Sequence, residues 1–285
     1  MFNALVVRKD EDSGKTSAAV EQIGLDDLPE GNVTVAVEYS TVNYKDGLCI
    51  GPGGGLVRKY PHVPGIDFAG TVEASDDARY APGDKVVLTG WRVGEAHWGG
   101  YTQKARVNAD WLVPLPEGLT TREAMAVGTA GFTAMLSVMA LEDHGLQTGH
   151  GPVLVTGAAG GVGLAAVELG KAMGAKVIAG ASSEDKVAVA KEHGADDGFV
   201  YPSGPLDRDQ QKALSEKIKE LTGGQGADVL YDPVGGDVFD ESVRCIAWNG
   251  RLLVIGFTSG RIPSVPVNMP LIKGFSVVGV RAGEY

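Results

Sequence analysis

A glycine-rich segment that joins a short apolar stretch to an amphipathic one constrains this chain most. Residues 153–156 predict a β-strand, and glycine residues follow the strand at once. Apolar residues then recur at spacings of three and four, which predicts a helix that ends at Gly174. The residues of this apolar stripe are Val162, Ala165, Ala166, Leu169 and Met173.

A strand, a glycine turn and a helix in this order present backbone N–H groups and a positive helix end to an anion, usually a dinucleotide pyrophosphate. The spacing Gly157-x-x-Gly160-x-x-Gly163 is looser than the usual dinucleotide fingerprint. A tight turn without a ligand is the alternative, because glycine makes up 42 of the 285 residues. The flanking strand and helix favour a cofactor site. We expect the cofactor to lie against Gly157, Ala159, Gly160, Gly161, Val162 and Gly163.

Composition excludes several classes of protein. The net charge of −11 disfavours nonspecific binding to nucleic acid and to anionic membranes. The two cysteines, Cys49 and Cys245, are too few for a disulfide framework or a four-thiolate zinc site, and two free thiols are typical of a reducing compartment. The first eight residues indicate a strand rather than a signal peptide, and no apolar run approaches the roughly 18 residues of a membrane span. We therefore expect a cytoplasmic protein.

Residues 1 to about 124 are rich in short β-type stretches separated by Gly, Pro, Asp and Asn. Val33, Val35 and Val37 alternate with less apolar residues, which is typical of a strand with one buried face. The irregular spacing of the predicted strands in this region indicates a compact, partly open barrel. The predicted strands are 2–8, 17–23, 32–40, 68–74, 84–89 and 101–107.

Three clusters in this region could carry chemistry. The first is Asn43-Tyr44-Lys45-Asp46, for which a polar turn is the alternative, and the second is Pro64-Gly65-Ile66-Asp67. The third is the run from Gly90 to Gly100, which contains Trp91, Arg92, His97 and Trp98. Its two indoles could line a substrate site or could fill the core of the domain. The five histidines, at positions 62, 97, 144, 150 and 193, have no ligand-like spacing, so we predict no metal site.

Strands and helices alternate in the second part of the chain, which predicts a doubly wound parallel sheet. Its predicted strands are 153–156, 175–179, 198–201, 227–232, 251–256 and 275–280. Its predicted helices are 121–141, 161–173, 184–193, 209–222 and 236–247. The residues Ile255, Gly256, Phe257 and Val280 end the last two strands and should lie near the reactive ring of a cofactor.

The end of the second strand of this sheet distinguishes NAD from NADP, because an acidic residue there would bind the ribose 2′-hydroxyl. Here Ser182, Ser183 and Lys186 stand in its place, which favours the 2′-phosphate of NADPH. Glu184 and Asp185 fit the first turn of the next helix, with Ser182 as its cap.

The order of the two regions and several motifs resemble the medium-chain dehydrogenase/reductases, in their zinc-independent branch. The motifs are Asn-Tyr-Lys-Asp at 43–46, Pro-Gly-Ile-Asp at 64–67, the run from Leu88 to Gly100, and residues 128–135, all similar to acryloyl-CoA reductases. The resemblance implies an α/β fold, with a GroES-like β-rich domain at 1–124 followed by a doubly wound parallel (Rossmann) sheet at 125–285.

The zinc alcohol dehydrogenases of this superfamily have a cysteine where this chain has Asn43, a His-Glu pair at Ile66-Asp67, and a second cysteine near Thr129. An amide, an isoleucine and a threonine cannot hold Zn²⁺ in the usual geometry, so we predict no zinc.

The resemblance also changes along the chain. Up to about Gly163 it is to acryloyl-CoA reductases, and from Leu164 onward it is closer to the NADPH:quinone oxidoreductases, as in a natural or engineered mosaic. Family members continue beyond Tyr285, which implies a missing C-terminal segment.

Reduction of the activated C=C bond of acryloyl-CoA by NADPH is the activity that the resemblance implies. Quinone reduction and nucleotide binding without turnover are the alternatives. Tyr44 and Asn43 are the expected catalytic donors, beside the nicotinamide, and Tyr44, Thr129 and Tyr201 are further expected cofactor contacts. Arg58, Lys59 and Arg92 are candidates for the phosphates of CoA, with solvated surface charge as the alternative. The apolar edge at 275–280 and the resemblance together predict a homodimer.

Overall fold

The structure, a computed structural model, describes residues 1–51, 55–146 and 151–282. These residues form two compact units, Met1–Thr129 and Ala130–Arg281. The boundary between the units falls at Thr129, against the predicted 124.

The N-terminal unit contains two antiparallel sheets. Its strands are β1 (Phe2–Lys9), β2 (Thr16–Ile23), β3 (Val33–Tyr39), β4 (Asp67–Ser75), β5 (Lys85–Thr89), β6 (Lys104–Val107) and β7 (Val113–Pro114). Strands β1 and β2 form a hairpin, and the other five pair in the order β6-β3-β4-β5-β7. The predicted alternation in β3 is confirmed, because Val33 and Val35 are buried while Thr34 and Ala36 are half-buried. They pack with Phe68, Leu88 and other apolar side chains of the five-stranded sheet.

The C-terminal unit contains a six-stranded parallel sheet. Its strands are β8 (Val153–Val155), β9 (Val177–Ala181), β10 (Asp197–Val200), β11 (Ala227–Asp232), β12 (Ile246–Val254) and β13 (Ser276–Gly279). They pair in the order β10-β9-β8-β11-β12-β13, which is the arrangement of a doubly wound fold. All five residues of β9 are buried, as expected for a strand that is covered on both faces. The predicted fold class is confirmed.

Seven α-helices and two short 3₁₀ helices, Leu25–Asp27 and Ala109–Trp111, lie between these strands in the part of the chain that the structure describes. The α-helices are α1 (Tyr44–Ile50), α2 (Thr121–Asp143), α3 (Gly161–Ala172), α4 (Glu184–Glu192), α5 (Arg208–Leu221), α6 (Gly236–Arg244) and α7 (Asn268–Lys273). Helix α3 fully buries Gly163, Ala166 and Val167. The predicted stripe is therefore rotated slightly, because Val162 and Leu169 are only half-buried.

The predicted end of α6 and the predicted start of β12 are wrong, and the short helices α1 and α7 were not predicted. Helix α6 ends at Arg244 rather than 247, and β12 already begins at Ile246. Within β12, Asn249 has a φ of 58°, and the pairing of β12 with β11 shifts register between Ile246 and Arg251. Helices α1 and α7 have seven and six residues, too few for a clear periodic pattern.

Helix α2 corrects a further expectation. The helix has 23 residues, and an 18-residue window of it has a mean hydropathy of 1.7, so it is long and apolar enough to cross a membrane. The expectation that no apolar run approaches this length is therefore wrong. One such helix is weak evidence for a membrane span, because the core helix of a soluble protein passes the same test. The helix is also interrupted at Gly128, whose φ is 51°.

The start of α2 is tied to the N-terminal sheet through Glu38 of β3. The Thr121 hydroxyl donates to Glu38 Oε2 over 2.7 Å, while Thr71 and Lys85 donate to Oε1. Burial raises the pKa of this carboxyl, but the Lys85, Thr71 and Thr121 hydrogen bonds outweigh burial and lower the pKa to about 2. Glu38 therefore stays ionised and holds the first turn of α2 against the sheet.

Candidate functional site

The centre of the N-terminal site is the carboxylate of Asp67, the first residue of β4, which is fully buried. Its Oδ1 accepts hydrogen bonds from the Thr41 N–H at 3.1 Å and the Thr41 hydroxyl at 2.7 Å. Its Oδ2 accepts from Asn43 Nδ2 at 3.1 Å, from the Thr129 N–H at 3.0 Å and from the Thr129 hydroxyl at 2.7 Å. We call Asp67, Thr41, Asn43 and Thr129 the Asp67 cluster.

Local backbone conformation brings these residues together. Gly128 interrupts α2 with a positive φ, and this turn directs the Thr129 N–H toward Asp67. A Cβ at Gly128 would lie 3.1 Å from Thr41 Cγ2 and 3.4 Å from Asp67 Oδ2, so a larger residue would press on the cluster. The sequence analysis did not identify Thr41, although it lies two residues before Asn43.

The motif Asn43-Tyr44-Lys45-Asp46 forms the start of α1 rather than a simple turn. Asp46 is buried, and its carboxylate accepts from the Asn43 N–H at 2.8 Å and the Ile66 N–H at 3.0 Å. Burial raises the pKa of Asp46, which those hydrogen bonds only partly offset. Lys45 pairs with Glu95 at 2.8 Å. Lys45 and Asp46 thus hold the segment in place.

The two predicted catalytic donors differ in this structure. Tyr44 is 56% exposed and presents its ring to solvent. Asn43 Nδ2 already donates to Thr41 Oγ1 at 2.9 Å and to Asp67 at 3.1 Å. The catalytic role of both residues stays a prediction, but the Asn43 amide is held within the Asp67 cluster.

The residues at the superfamily's zinc positions do not fit zinc. The amide of Asn43 and the hydroxyl of Thr129 both donate hydrogen bonds to Asp67, and no thiolate or imidazole stands among them. Within residues 1–51, 55–146 and 151–282, no group of three or more His, Cys, Asp or Glu side chains could hold a metal ion. His62 is buried, with Nε2 at 2.8 Å from the Gly94 carbonyl, and His150 lies outside the described residues.

The two indoles of the run from Gly90 to Gly100 differ in their surroundings. Trp98 packs against the core cluster of the β1–β2 hairpin, and its Nε1 donates to the Pro61 carbonyl at 3.1 Å. Trp91 is 44% exposed and has a φ of 53°, and Arg92 follows with a φ of 58°. Consecutive bulky residues with positive φ are strained, and such strain is concentrated at functional sites. Arg58, Lys59 and Arg92 are all exposed.

In the C-terminal unit, the glycine turn lies between β8 and α3, as predicted. Gly157 has a φ of 57°, and a Cβ there would lie 2.9 Å from Val234 Cγ2. A Cβ at Gly163 would lie 2.3 Å from the Gly157 carbonyl oxygen, so only glycine allows this close approach. Gly160 precedes α3, and no described side chain caps the helix there. The start of α3 can therefore accept an anion.

The predicted 2′-phosphate corner follows β9. Lys186 Nζ donates to Ser182 Oγ at 2.9 Å, and Ser183 Oγ accepts the Lys186 N–H at 3.4 Å. Ser183, rather than the predicted Ser182, is therefore the N-cap of α4. The carboxylates of Glu184 and Asp185 lie in the first helical turn, as expected. The corner thus contains two hydroxyls and one ammonium.

Tyr201 follows β10 and lies beneath the glycine turn. Its side chain is buried, and its hydroxyl oxygen accepts the Gly157 N–H at 3.0 Å. Burial raises the pKa of Tyr201 to about 12, so the phenol stays protonated. A direct contact of Tyr201 with a phosphate stays a prediction, whereas its support of the turn is a contact that the sequence did not indicate.

The predicted nicotinamide-side residues follow β12 and β13. The N–H groups of Ile255 and Gly256 both point to the Asp232 carbonyl, at 3.0 and 3.4 Å. Phe257 is 37% exposed, and Val280 is buried with its N–H on the Val254 carbonyl at 3.1 Å. Residues 255–257 therefore form a loop at the carboxyl end of the sheet that backbone hydrogen bonds attach to Asp232.

Two family models match the chain. Residues 29–117 match the alcohol dehydrogenase GroES-like domain, and residues 161–285 match the zinc-binding dehydrogenase domain. The chain belongs to the medium-chain dehydrogenase/reductase family, an enzyme family, and its residues fit the zinc-independent branch.

Individual relatives refine this assignment. The acrylyl-CoA reductase AcuI of Ruegeria pomeroyi is 58% identical over 280 residues, which are 98% of this chain and 82% of the relative. The putative quinone oxidoreductase YhfP of Bacillus subtilis is 41% identical over 280 residues, 98% of this chain and 81% of that protein. The first alignment continues across Gly163 and Leu164, where the sequence resemblance changed.

Two solved structures share the fold. Escherichia coli K-12 YhdH with bound NADPH has a TM-score of 0.85 at 40% identity, with 98% of this chain and 82% of that chain covered. Bacillus subtilis yhfP with bound NAD has a TM-score of 0.86 at 38% identity, with the same coverage of 98% and 82%. The expectation of a truncated, non-catalytic nucleotide-binding protein is not borne out by these relatives.

The Asp67 cluster leads to a prediction for Asp67→Asn. The two backbone donors of the cluster, at Thr41 and Thr129, bond opposite carboxylate oxygens, but an amide has one acceptor oxygen. One backbone N–H must then face the NH₂ group, which should lower the free energy of unfolding by about 1–3 kcal/mol. Urea unfolding measures this change.

Asp84→Asn is the matched control, because this carboxylate is exposed and accepts the Ala81 N–H with one oxygen. We expect the control to change the free energy of unfolding by less than about 0.5 kcal/mol. An Asp67→Asn protein as stable as the control would contradict the role given to the cluster.

Proposed function

We propose that this chain is an NADPH-dependent reductase that reduces the activated C=C bond of acryloyl-CoA without zinc. The observation that carries this proposal is the 58% identity over 280 residues with an acrylyl-CoA reductase. Both halves of the chain support it, through the Asp67 cluster and through the glycine turn at 157–163. We also propose the cytoplasm as its location, which suits the free, buried thiols of Cys49 and Cys245.

NADPH is the proposed cofactor because the corner after β9 suits a 2′-phosphate. Ser182, Ser183 and Lys186 offer two hydroxyls and a cation there, while the carboxylates of Glu184 and Asp185 lie in the first turn of α4. The YhdH structure with NADPH supports this choice, whereas the yhfP structure contains NAD. The pyrophosphate would lie against the open start of α3.

Bound NADPH would supply the hydride that reduces the β-carbon of the substrate. Negative charge then develops on the thioester oxygen, and a hydrogen-bond donor must stabilise it in the absence of a metal. Tyr44 is the proposed donor, since its side chain is exposed and the residue directly follows Asn43, which is hydrogen-bonded within the Asp67 cluster. Asn43 would position Tyr44. The proton at the α-carbon would come from Tyr44 or from solvent.

The nature of the acceptor is tested by NADPH oxidation with acryloyl-CoA and with a benzoquinone. We expect kcat/KM to be higher for acryloyl-CoA by about tenfold or more, because contacts to the CoA portion add transition-state stabilisation. The reverse preference would contradict the proposal and favour quinone reduction, the second candidate, which the 41% identity with YhfP supports.

Tyr44→Phe tests the donor in the same assay. Loss of the hydroxyl should lower kcat with acryloyl-CoA by about 100-fold, the lower end for acid–base groups. Tyr39→Phe is the control, because Tyr39 is exposed to a similar degree, 44% against 56%, on β3. Equal rates for the two variants would exclude Tyr44 as the donor.

We further propose a homodimer through the edge at 275–280. Strand β13 is the last strand of the six-stranded order, and Val277 on it is 46% exposed. An apolar edge strand invites pairing with a second copy. We expect the mass of two chains in solution at micromolar concentration.

Val277→Lys should yield a monomer, whereas Val20→Lys, at a residue 69% exposed on β2 of the other unit, should not. A monomeric mass of the unchanged protein would overturn the homodimer.

A further inference from the structure

Asp232, the last residue of β11, contacts three segments that surround the proposed cofactor site. It is 1% exposed. Its Oδ1 accepts a hydrogen bond from the Thr156 hydroxyl, and its Oδ2 accepts the Gly235 N–H at 2.7 Å. Its backbone carbonyl receives the N–H groups of Ile255 and Gly256 at 3.0 and 3.4 Å.

Each of these contacts leads to a different part of the proposed site. Thr156 directly precedes the glycine turn at 157–163. Gly235, with a φ of 69°, starts α6, and residues 255–257 follow β12. Strands β8, β11 and β12 are neighbours in the parallel sheet, so these segments share its carboxyl edge. Asp232 therefore joins the phosphate side of the site to the nicotinamide side.

Hydrogen bonds from Thr156, Gly235 and Val234 stabilise the charge of this carboxylate, which burial deprives of its hydration. A buried ionised group is tolerated only where hydrogen bonds replace water. Burial raises the pKa of Asp232 to about 6, and Asp240 on α6 adds repulsion. The Asp240 carboxylate itself pairs with Arg261 at 2.5 Å, and the phenol of Tyr201 stays neutral. Asp232 is therefore ionised at neutral pH, and the hydrogen bonds that its carboxylate accepts from Thr156 and Gly235 are charge-assisted.

We propose that Asp232 is a positioning residue for cofactor binding. Its hydrogen bond from the Thr156 hydroxyl fixes the position of the glycine turn that follows Thr156. Asp232 fixes the position of the turn at 157–163 relative to the loop at 255–257, so that one cofactor can contact both. This inference rests on the proposed function, because it takes NADPH as the ligand. It concerns a side chain beneath the cofactor site rather than a residue that touches the cofactor.

Thr156→Val tests the proposal, since valine has nearly the shape of threonine but donates no hydrogen bond to Asp232. Thr156→Ser keeps the hydroxyl and should restore the contact. Ser215→Ala is the matched control in the same unit, because the Ser215 hydroxyl also donates to a buried carboxylate, Glu241 Oε2, at 2.8 Å. That pair joins α5 and α6 and does not touch the cofactor loops.

Two readouts separate positioning from general stability. The first is the Kd for NADPH, obtained by titration at neutral pH. The second is amide hydrogen exchange of residues 157–163 and 255–256 in the protein without NADPH. The thermal unfolding midpoint of each variant measures the loss of stability, which we expect on removal of either hydroxyl, that of Thr156 or that of Ser215.

Thr156→Val should raise the Kd by about tenfold, which corresponds to 1.4 kcal/mol, and should speed exchange in both segments. Thr156→Ser should stay within about twofold of the unchanged protein, because its hydroxyl can still donate. Ser215→Ala should lower the unfolding midpoint but change neither the Kd nor the exchange of these segments.

An unchanged Kd and unchanged exchange in Thr156→Val would overturn the proposal, as would equal effects of Ser215→Ala. If the unchanged protein fails to bind NADPH, the proposed function is wrong. Hydrogen exchange alone then decides whether Asp232 couples the two segments.

Discussion

The carboxylate of Asp67 is the interaction on which the N-terminal half of this structure depends. Five donors from Thr41, Asn43 and Thr129 converge on its two oxygens. Hydrogen bonds to a charged group are each worth about 1.5–3 kcal/mol, and a buried carboxylate without them would be far too costly. Because the donors come from two separate stretches of chain, 41–43 and Thr129, the cluster fixes the segment that carries Tyr44. Here a network of hydrogen bonds joins these stretches of chain.

Asp232 has a corresponding place in the C-terminal unit. Both aspartates are fully buried, lie at an end of a strand and join segments that are distant in sequence. The two sites differ in their donors, since five reach the Asp67 carboxylate whereas Thr156, Gly235 and Val234 donate to Asp232. Burial of Asp232 raises its pKa to about 6. A cofactor site built on strand ends needs such ties, because the loops after the strands have no ladder hydrogen bonds of their own.

The sequence predicted the elements whose signals are local. The glycine turn, the parallel strands and the serine corner after β9 all follow from spacing and residue type over short stretches. The contacts of Thr41 with Asp67 and of Thr156 with Asp232 could not be predicted, because they join residues 26 and 76 positions apart. The predicted helix 236–247 extends past the observed end at Arg244, because the strand that follows is irregular at Asn249 and shows no clean alternation. Short helices such as α1 have too few turns to show a period.

The absence of a zinc requirement is the central claim, and it is tested most directly by activity after metal removal. The protein would be treated with a strong chelator, its zinc content would be measured by atomic spectroscopy, and NADPH oxidation by acryloyl-CoA would then be assayed. The account predicts full activity with far less than one zinc ion per chain. Activity that is lost with the metal and restored by added Zn²⁺ would contradict it.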